Sequence, residues 1–163
     1  MSTNPLSEDS AGKTPQLVTI DRVVDELKAL GVSAQTDVSG RSAQAEAGGY
    51  PLLFVLLDSV LIVRTDAETD IPADSPDATI YLAANQVNSS YLEAHAIVVN
   101  RGERLVVRTE SEIAVAAGLT PEQLRGALKS AIDGVGACQA AMHALIEELS
   151  ELRAAQDQPR DQA

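Results

Sequence analysis

The sequence predicts an α+β fold, an antiparallel sheet with helices packed on it in the order α-β-β-β(-β)-α-β-β-α. Three observations predict it. Apolar residues recur at helical spacing in three places, from Ile20 to Leu30, from Ile80 to Tyr91 and from Leu124 to Leu152. Between them lie short runs rich in Val, Ile, Leu and Thr, punctuated by Gly, Asn, Asp and Ser. The clearest hairpin signal is Asn100-Arg101-Gly102-Glu103, flanked by His95 to Val99 and Leu105 to Thr109, because its Asn and Gly can supply positive φ.

The first helix carries Ile20, Val23, Val24, Leu27 and Leu30, with Thr19 as N-cap and Gly31 as the stop. Ser33 to Val38 and Ser42 to Ala47 then read as a weakly apolar hairpin, broken at Ser39-Gly40 and closed by Gly48-Gly49. Poorly apolar strands of this kind are expected at a sheet edge, where a partner strand could add. Leu52 to Leu57 and Val60 to Thr65 follow as better buried strands, turning at Asp58-Ser59. Their β-branched content and polar break argue against one buried helix. Asp66, Glu68, Asp70, Asp74 and Asp77, with Pro72 and Pro76 among them, predict an acidic loop over 66–77. A second helix begins near Ser75 or Asp77 and ends near Ser89 or Ser90, with Ile80, Ala84, Val87 and Tyr91 on one face.

The third helix is announced by Thr120-Pro121-Glu122-Gln123, in which a Thr cap, a Pro at the first helical position and a Gln three residues past the cap satisfy orphan amides. Its stripe runs through Leu124, Leu128, Val135, Cys138, Met142, Leu145, Leu149 and Leu152. Such a helix spans ~45 Å at ~1.5 Å per residue. Gly126, Gly134 and Gly136 each cost ~1 kcal/mol relative to Ala, so close approach of another backbone is expected beside them. The near-heptad spacing of Met142, Leu145, Leu149 and Leu152 suits a second copy of the helix, the alternative being packing on the chain's own sheet.

The chain of 163 residues fits a single domain over 17–152, with disordered tails at 1–16 and 153–163 where periodicity and apolar anchors are missing. Hydrophobic residues make up 45% and aromatics 2%, so the core is aliphatic. The net charge of −12 disfavours nucleic acid and anionic membranes as partners, although it can also serve solubility alone. A lone cysteine, Cys138, cannot form an internal bridge, and neither a signal peptide nor a membrane span is expected from the sequence; a cytoplasmic setting is expected.

No catalytic constellation emerges. His95 and His143 lack neighbours at metal-ligand spacing, and Cys138 sits in an apolar stripe. The acidic stretch matches an EF-hand at Asp66, Glu68 and Asp70 but places Ile71 where the turn needs Gly. There is no phosphate-binding glycine loop and no nucleophile elbow. The expectation is a non-enzymatic protein without metal or cofactor. Asn85 and Asn88 stand three apart beside Val87 and Tyr91, and their amides either bond to an adjoining strand or bind a partner.

Leu82-Ala83-Ala84-Asn85-Gln86-Val87-Asn88, the hairpin over 94–110 and Ala117-Gly118-Leu119-Thr120-Pro121-Glu122-Gln123-Leu124 together resemble the YbjN domain family, described as bacterial sensory transduction regulators. The resemblance covers about residues 17–149, with Val87 where the family often has an aromatic. It implies a type III secretion chaperone-like fold and a binding module with no catalytic set to carry over. The expected function is therefore a protein-binding or regulatory domain acting through sheet edge and helix surfaces, as a homodimer. Its candidate partner-binding residues are Asn85, Asn88, Tyr91, Met142, Leu145 and Leu149. The alternative is a small-ligand binder or enzyme using a pocket between the second helix and the sheet, lined by Asn85, Asn88 and Tyr91.

Overall fold

Residues 14–157 are described by a computed structural model. In chain order the elements are α1 (Ile20–Ala29), β1 (Ala34–Thr36), β2 (Ser42–Ala47), β3 (Tyr50–Leu56), β4 (Val60–Pro72), α2 (Thr79–Ser90), β5 (His95–Arg101), β6 (Arg104–Ala114) and α3 (Pro121–Asp157). The strands make one antiparallel sheet, ordered β1-β2-β3-β4-β6-β5. This is the predicted element order. Two hairpins are closed by two residues each, and glycine makes both turns. Gly48 and Gly49 have φ of 61° and 83°, the pair of positive values a type I′ turn needs, and Gly102 has φ 71° at the first central position, as in type II′.

The described residues divide into two compact units, 14–63 with 111–133 and 64–110 with 134–157. In the first, Thr19 caps α1 by accepting from the Arg22 amide at 3.3 Å. Past the other end, Gly31 donates to Lys28 and Val32 to Leu27, a Schellman ending with Gly31 at φ 79°. Helix α1 lies on β1 and β2 and buries Ile20, Val23 and Leu27. Ala43, Phe54, Leu61, Val63, Ile113, Leu124 and Leu128 complete this core. The capping box read from the sequence forms in both directions: the Gln123 amide donates to the Thr120 hydroxyl at 3.1 Å, and the Thr120 amide to the Gln123 side chain at 2.9 Å.

Gln16 and Leu119 exchange backbone hydrogen bonds at 3.1 and 2.9 Å. The Arg22 guanidinium grips the same place, donating to the carbonyls of Gln16 (2.8 Å), Leu17 (2.7 Å) and Leu119 (2.8 Å). Gly118 makes the crossing feasible, since its φ is +75° and a Cβ there would sit 2.7 Å from the Gln16 carbonyl oxygen. Structure thus reaches into both expected tails, as a bridge at Gln16 and as helix from 153 to 157. The remainder of those tails, 1–13 and 158–163, lies outside the described residues.

In the second unit the expected acidic loop is corrected. Strand β4 continues to Pro72, so Asp66, Glu68 and Asp70 alternate on one face of a strand, and only the residues from Ala73 to Ala78 are loop. The carboxylates are tolerated there because arginines of β5 and β6 stand opposite. Helix α2 starts at Thr79, beyond the expected Ser75 or Asp77, because the Asp77 carboxylate accepts from both the amide (2.8 Å) and hydroxyl (2.6 Å) of Thr79. Ile80, Ala83, Ala84, Val87, Leu105, Val107, Val135, Cys138 and Met142 form this unit's core. Inside it the Thr109 hydroxyl donates to the Gln139 side-chain oxygen at 3.1 Å, tying β6 to α3.

Of the helix-three glycines, Gly134 meets the expected close approach. A Cβ there would lie 3.1 Å from the Glu93 Cβ and 3.5 Å from its backbone. Gly126 faces open space, so its helix cost is not offset by packing. A further correction concerns the sheet edges. Strand β2 is paired on both sides, leaving β1, three residues long, and β5, seven residues long, as the edges.

Candidate functional site

Strand β5 and its neighbours in the second unit gather the polar features of the molecule. Thr109 bonds to α3 on one face of β6, so Arg104, Arg108 and Glu110 occupy the other face, with His95, Ile97, Val99 and Arg101 of β5 beside them. Asp66 of β4 is the centre of this face. Arg108 grips it with two bonds, Nε to Oδ1 at 2.7 Å and Nη2 to Oδ2 at 2.9 Å, and Arg101 adds Nη2 to Oδ2 at 2.6 Å. These hydrogen bonds, chiefly those from Arg108, hold the Asp66 carboxyl below the ordinary carboxylate range despite its partial burial. Arg104 pairs with Asp70 at 2.9 Å and His95 with Glu110 at 3.3 Å. A shallow cavity of about 290 Å³ opens at the hairpin tip, lined by Glu68, Arg101, Glu103, Arg104 and Val106.

The free side of β5 has its own pattern. A two-residue hairpin makes Arg101 and Arg104 a hydrogen-bonded pair, so the backbone groups of Ala96, Val98 and Asn100 point away from β6. Asn88 of α2 covers the first of these: its carboxamide nitrogen donates to the Ala96 carbonyl at 2.9 Å and its oxygen accepts from the Ala96 amide at 2.7 Å. The outward groups of Val98 and Asn100 have no such cover among the described residues. Exposed apolar side chains flank the region in sequence, with Leu92 98% and Ile97 and Tyr91 each 36% exposed.

The sequence-selected residues take different places. Asn88 is committed to the strand edge, the strand-bonding role among the two expected for it. Asn85 is exposed, and its backbone carbonyl accepts from the Ser89 hydroxyl. Tyr91 terminates α2 in an extended conformation. Met142 is fully buried and therefore belongs to the core, which removes it from any surface offered to a partner. Leu145 and Leu149 are half-buried, and Leu152 is 53% exposed. The cavity is lined by none of Asn85, Asn88 and Tyr91. Sequence reading missed the arginines of β5 and β6, although the two-residue spacing of Asp66, Glu68 and Asp70 was a strand signal.

Chemistry-bearing side chains are otherwise occupied. Burial pushes the Cys138 thiol up to about 11, so it is protonated at neutral pH. His143 pairs with Glu147 one turn along α3 at 3.4 Å. Among the described residues no group of three or more His, Cys, Asp or Glu is placed to hold a metal ion. Within them no helix is long and apolar enough to cross a membrane.

A family profile described as "YbjN: Putative bacterial sensory transduction regulator" matches residues 19–144. The chain belongs to the YbjN family. A solved structure titled "Crystal structure of YbjN, a putative transcription regulator from E. coli" matches with a TM-score of 0.61 at 17% identity, covering 84% of this chain and 97% of that one. At that identity the likeness to the E. coli YbjN structure shows the shared fold. No curated protein matches the chain.

Proposed function

We propose that this YbjN-family chain is a non-enzymatic regulatory domain that binds protein through a sheet edge and helix surfaces and acts as a homodimer. The observation that carries this reading is β5, a seven-residue edge strand without a carboxylate side chain, whose outward peptide groups are open at Val98 and Asn100. Such an edge offers main-chain hydrogen bonds to an added strand, and the exposed Ile97 and the neighbouring Tyr91 and Leu92 supply apolar contact. The family description as a regulator agrees with a binding role. A single buried cysteine suits the reducing cytoplasm, where we place the protein.

Light scattering tests the assembly and affinity capture from the native host tests the partner. A dimer mass, with a specific protein retained, is expected. A monomer at high micromolar concentration that captures nothing would remove the reading. The hairpin-tip cavity favours a second function, binding of a small charged ligand between Glu68, Glu103, Arg101 and Arg104. Thermal-shift screening against charged metabolites is the measurement, and a library without a stabilising compound ends that alternative.

A further inference from the structure

We infer that the hairpin-tip cavity takes a free α-amino acid, with the ligand's ammonium on Glu68 and Glu103 and its carboxylate on Arg101 and Arg104. The inference rests on the charged-ligand reading of this cavity given above and names the class of ligand.

An incomplete ladder of ion pairs points to it. On the face of the sheet away from α3, β4 carries Asp66, Glu68 and Asp70, and β6 carries Arg108, Val106 and Arg104. Asp66 pairs with Arg108 and Asp70 with Arg104, which brackets Glu68 and Val106 between the two pairs. The middle acid thus meets a valine where its neighbours meet arginines. Among the described residues the Glu68 carboxylate takes part in no hydrogen bond or ion pair, and neither does that of Glu103 in the turn of the β5–β6 hairpin. Both side chains are exposed and line the cavity, with the buried Val106 at its base.

The arginines of the cavity are engaged but not saturated. Arg101 gives one hydrogen bond, to Asp66 at 2.6 Å, and Arg104 gives one, to Asp70 at 2.9 Å. A guanidinium has about five N–H donors, so most on each remain for another acceptor. Arg101 and Arg104 are register partners across the hairpin, which sets them side by side on one face. Two neighbouring guanidiniums suit a carboxylate that accepts from both.

Charge and size choose among ligands. The two carboxylates and two guanidiniums of the lining cancel. A simple anion would meet Glu68 and Glu103, and a simple cation would meet Arg101 and Arg104, so like-charge contact discriminates against each. Exposed ion pairs are individually weak, and a ligand that satisfies only one sign gains little. An amino acid carries both groups on one carbon and satisfies both halves. At about 290 Å³ the cavity lies at the small end of the ~300–1,000 Å³ typical of ligand sites, which suits a single amino acid.

Calorimetric titration of the full chain with the free L-amino acids, run beside their N-acetyl and carboxamide derivatives, tests this. At least one free amino acid should bind and raise the melting temperature. Its N-acetyl derivative lacks the ammonium and its carboxamide lacks the carboxylate, and each should bind at least tenfold more weakly. Glu68→Gln should weaken the free amino acid at least tenfold yet bind the N-acetyl derivative no worse. Its urea melt should match that of the wild type, because Glu68 has no partner among the described residues to lose.

Equal binding of an amino acid and its N-acetyl derivative would make this a site for anions, and equal binding of the carboxamide a site for cations. Either result would overturn the inference and leave the charged-ligand reading standing. Undiminished binding by Glu68→Gln would place the amino acid elsewhere and overturn the assignment. Stabilisation by another charged metabolite, with no response to any amino acid, would reject the class of ligand alone. Silence from every charged compound would end both.

Discussion

Asp66 shows how single side chains set the acid stability of the second unit. Its carboxylate receives three arginine hydrogen bonds, and its pKa is lowered in the folded chain. A group with a folded pKa below its unfolded value stabilises the fold above the unfolded value, and that stability is lost as pH falls through the folded one. Denaturant titrations should therefore lose stability below about pH 4, and Asp66→Asn should flatten that acid limb. At neutral pH the same substitution leaves Arg108 without its carboxylate and should cost about 1.5–3 kcal/mol, the range for hydrogen bonds to charged groups. Asn88→Ala should cost about 1–2 kcal/mol by stranding both polar groups of Ala96, measured by urea melts. The sequence placed Asn88 at a strand-facing position but could not pair Asp66 with Arg101 and Arg108, which lie 35 and 42 residues away. Proximity of that kind depends on strand register, and register is settled only when the whole sheet assembles.

At the scale of elements, local signals were legible and long-range ones were not. Caps and turns declare themselves within four residues, so Thr19, Gly31, Gly48-Gly49 and the Thr120-Gln123 box were readable and form as read. Thr120→Ala should lower stability by about 1 kcal/mol, visible as a reduced melting temperature. Strand β4 was misread beyond Thr65 because acidic residues and prolines disfavour strands locally, whereas the opposing arginines act from elsewhere in the chain. The helix-three glycines give a paired test. Gly126→Ala should gain up to about 1 kcal/mol, having open space for its methyl group. Gly134→Ala should gain less, since its methyl group would press on Glu93. Equal gains in calorimetry would contradict the close contact.

For the molecule as a whole, net charge and edge chemistry act in opposition. A chain of −12 resists meeting its copy, and the homodimer proposed above would have to form against that repulsion at an edge strand free of Asp and Glu. Added salt should therefore tighten self-association by screening the repulsion, with the dimer fraction rising between low and physiological ionic strength in light scattering. A fall would mean that attractive ion pairs dominate the contact. Fold class was readable from periodicity because helices and strands differ in repeat. The choice of edge was not, since β2 reads as weakly apolar yet sits between two strands, and β5, an arm of the clearest hairpin signal, lies outermost.

The Arg22 clasp bears on where a minimal version of this protein can begin. The family profile starts at residue 19, but two of the three carbonyls that receive the guanidinium belong to Gln16 and Leu17. Trimming the gene to the profile boundary would leave a positive charge with one acceptor of three and would unlatch the approach to the longest helix. Expression trials guided by homology alone would then be expected to yield a weaker protein than those that retain a few residues upstream.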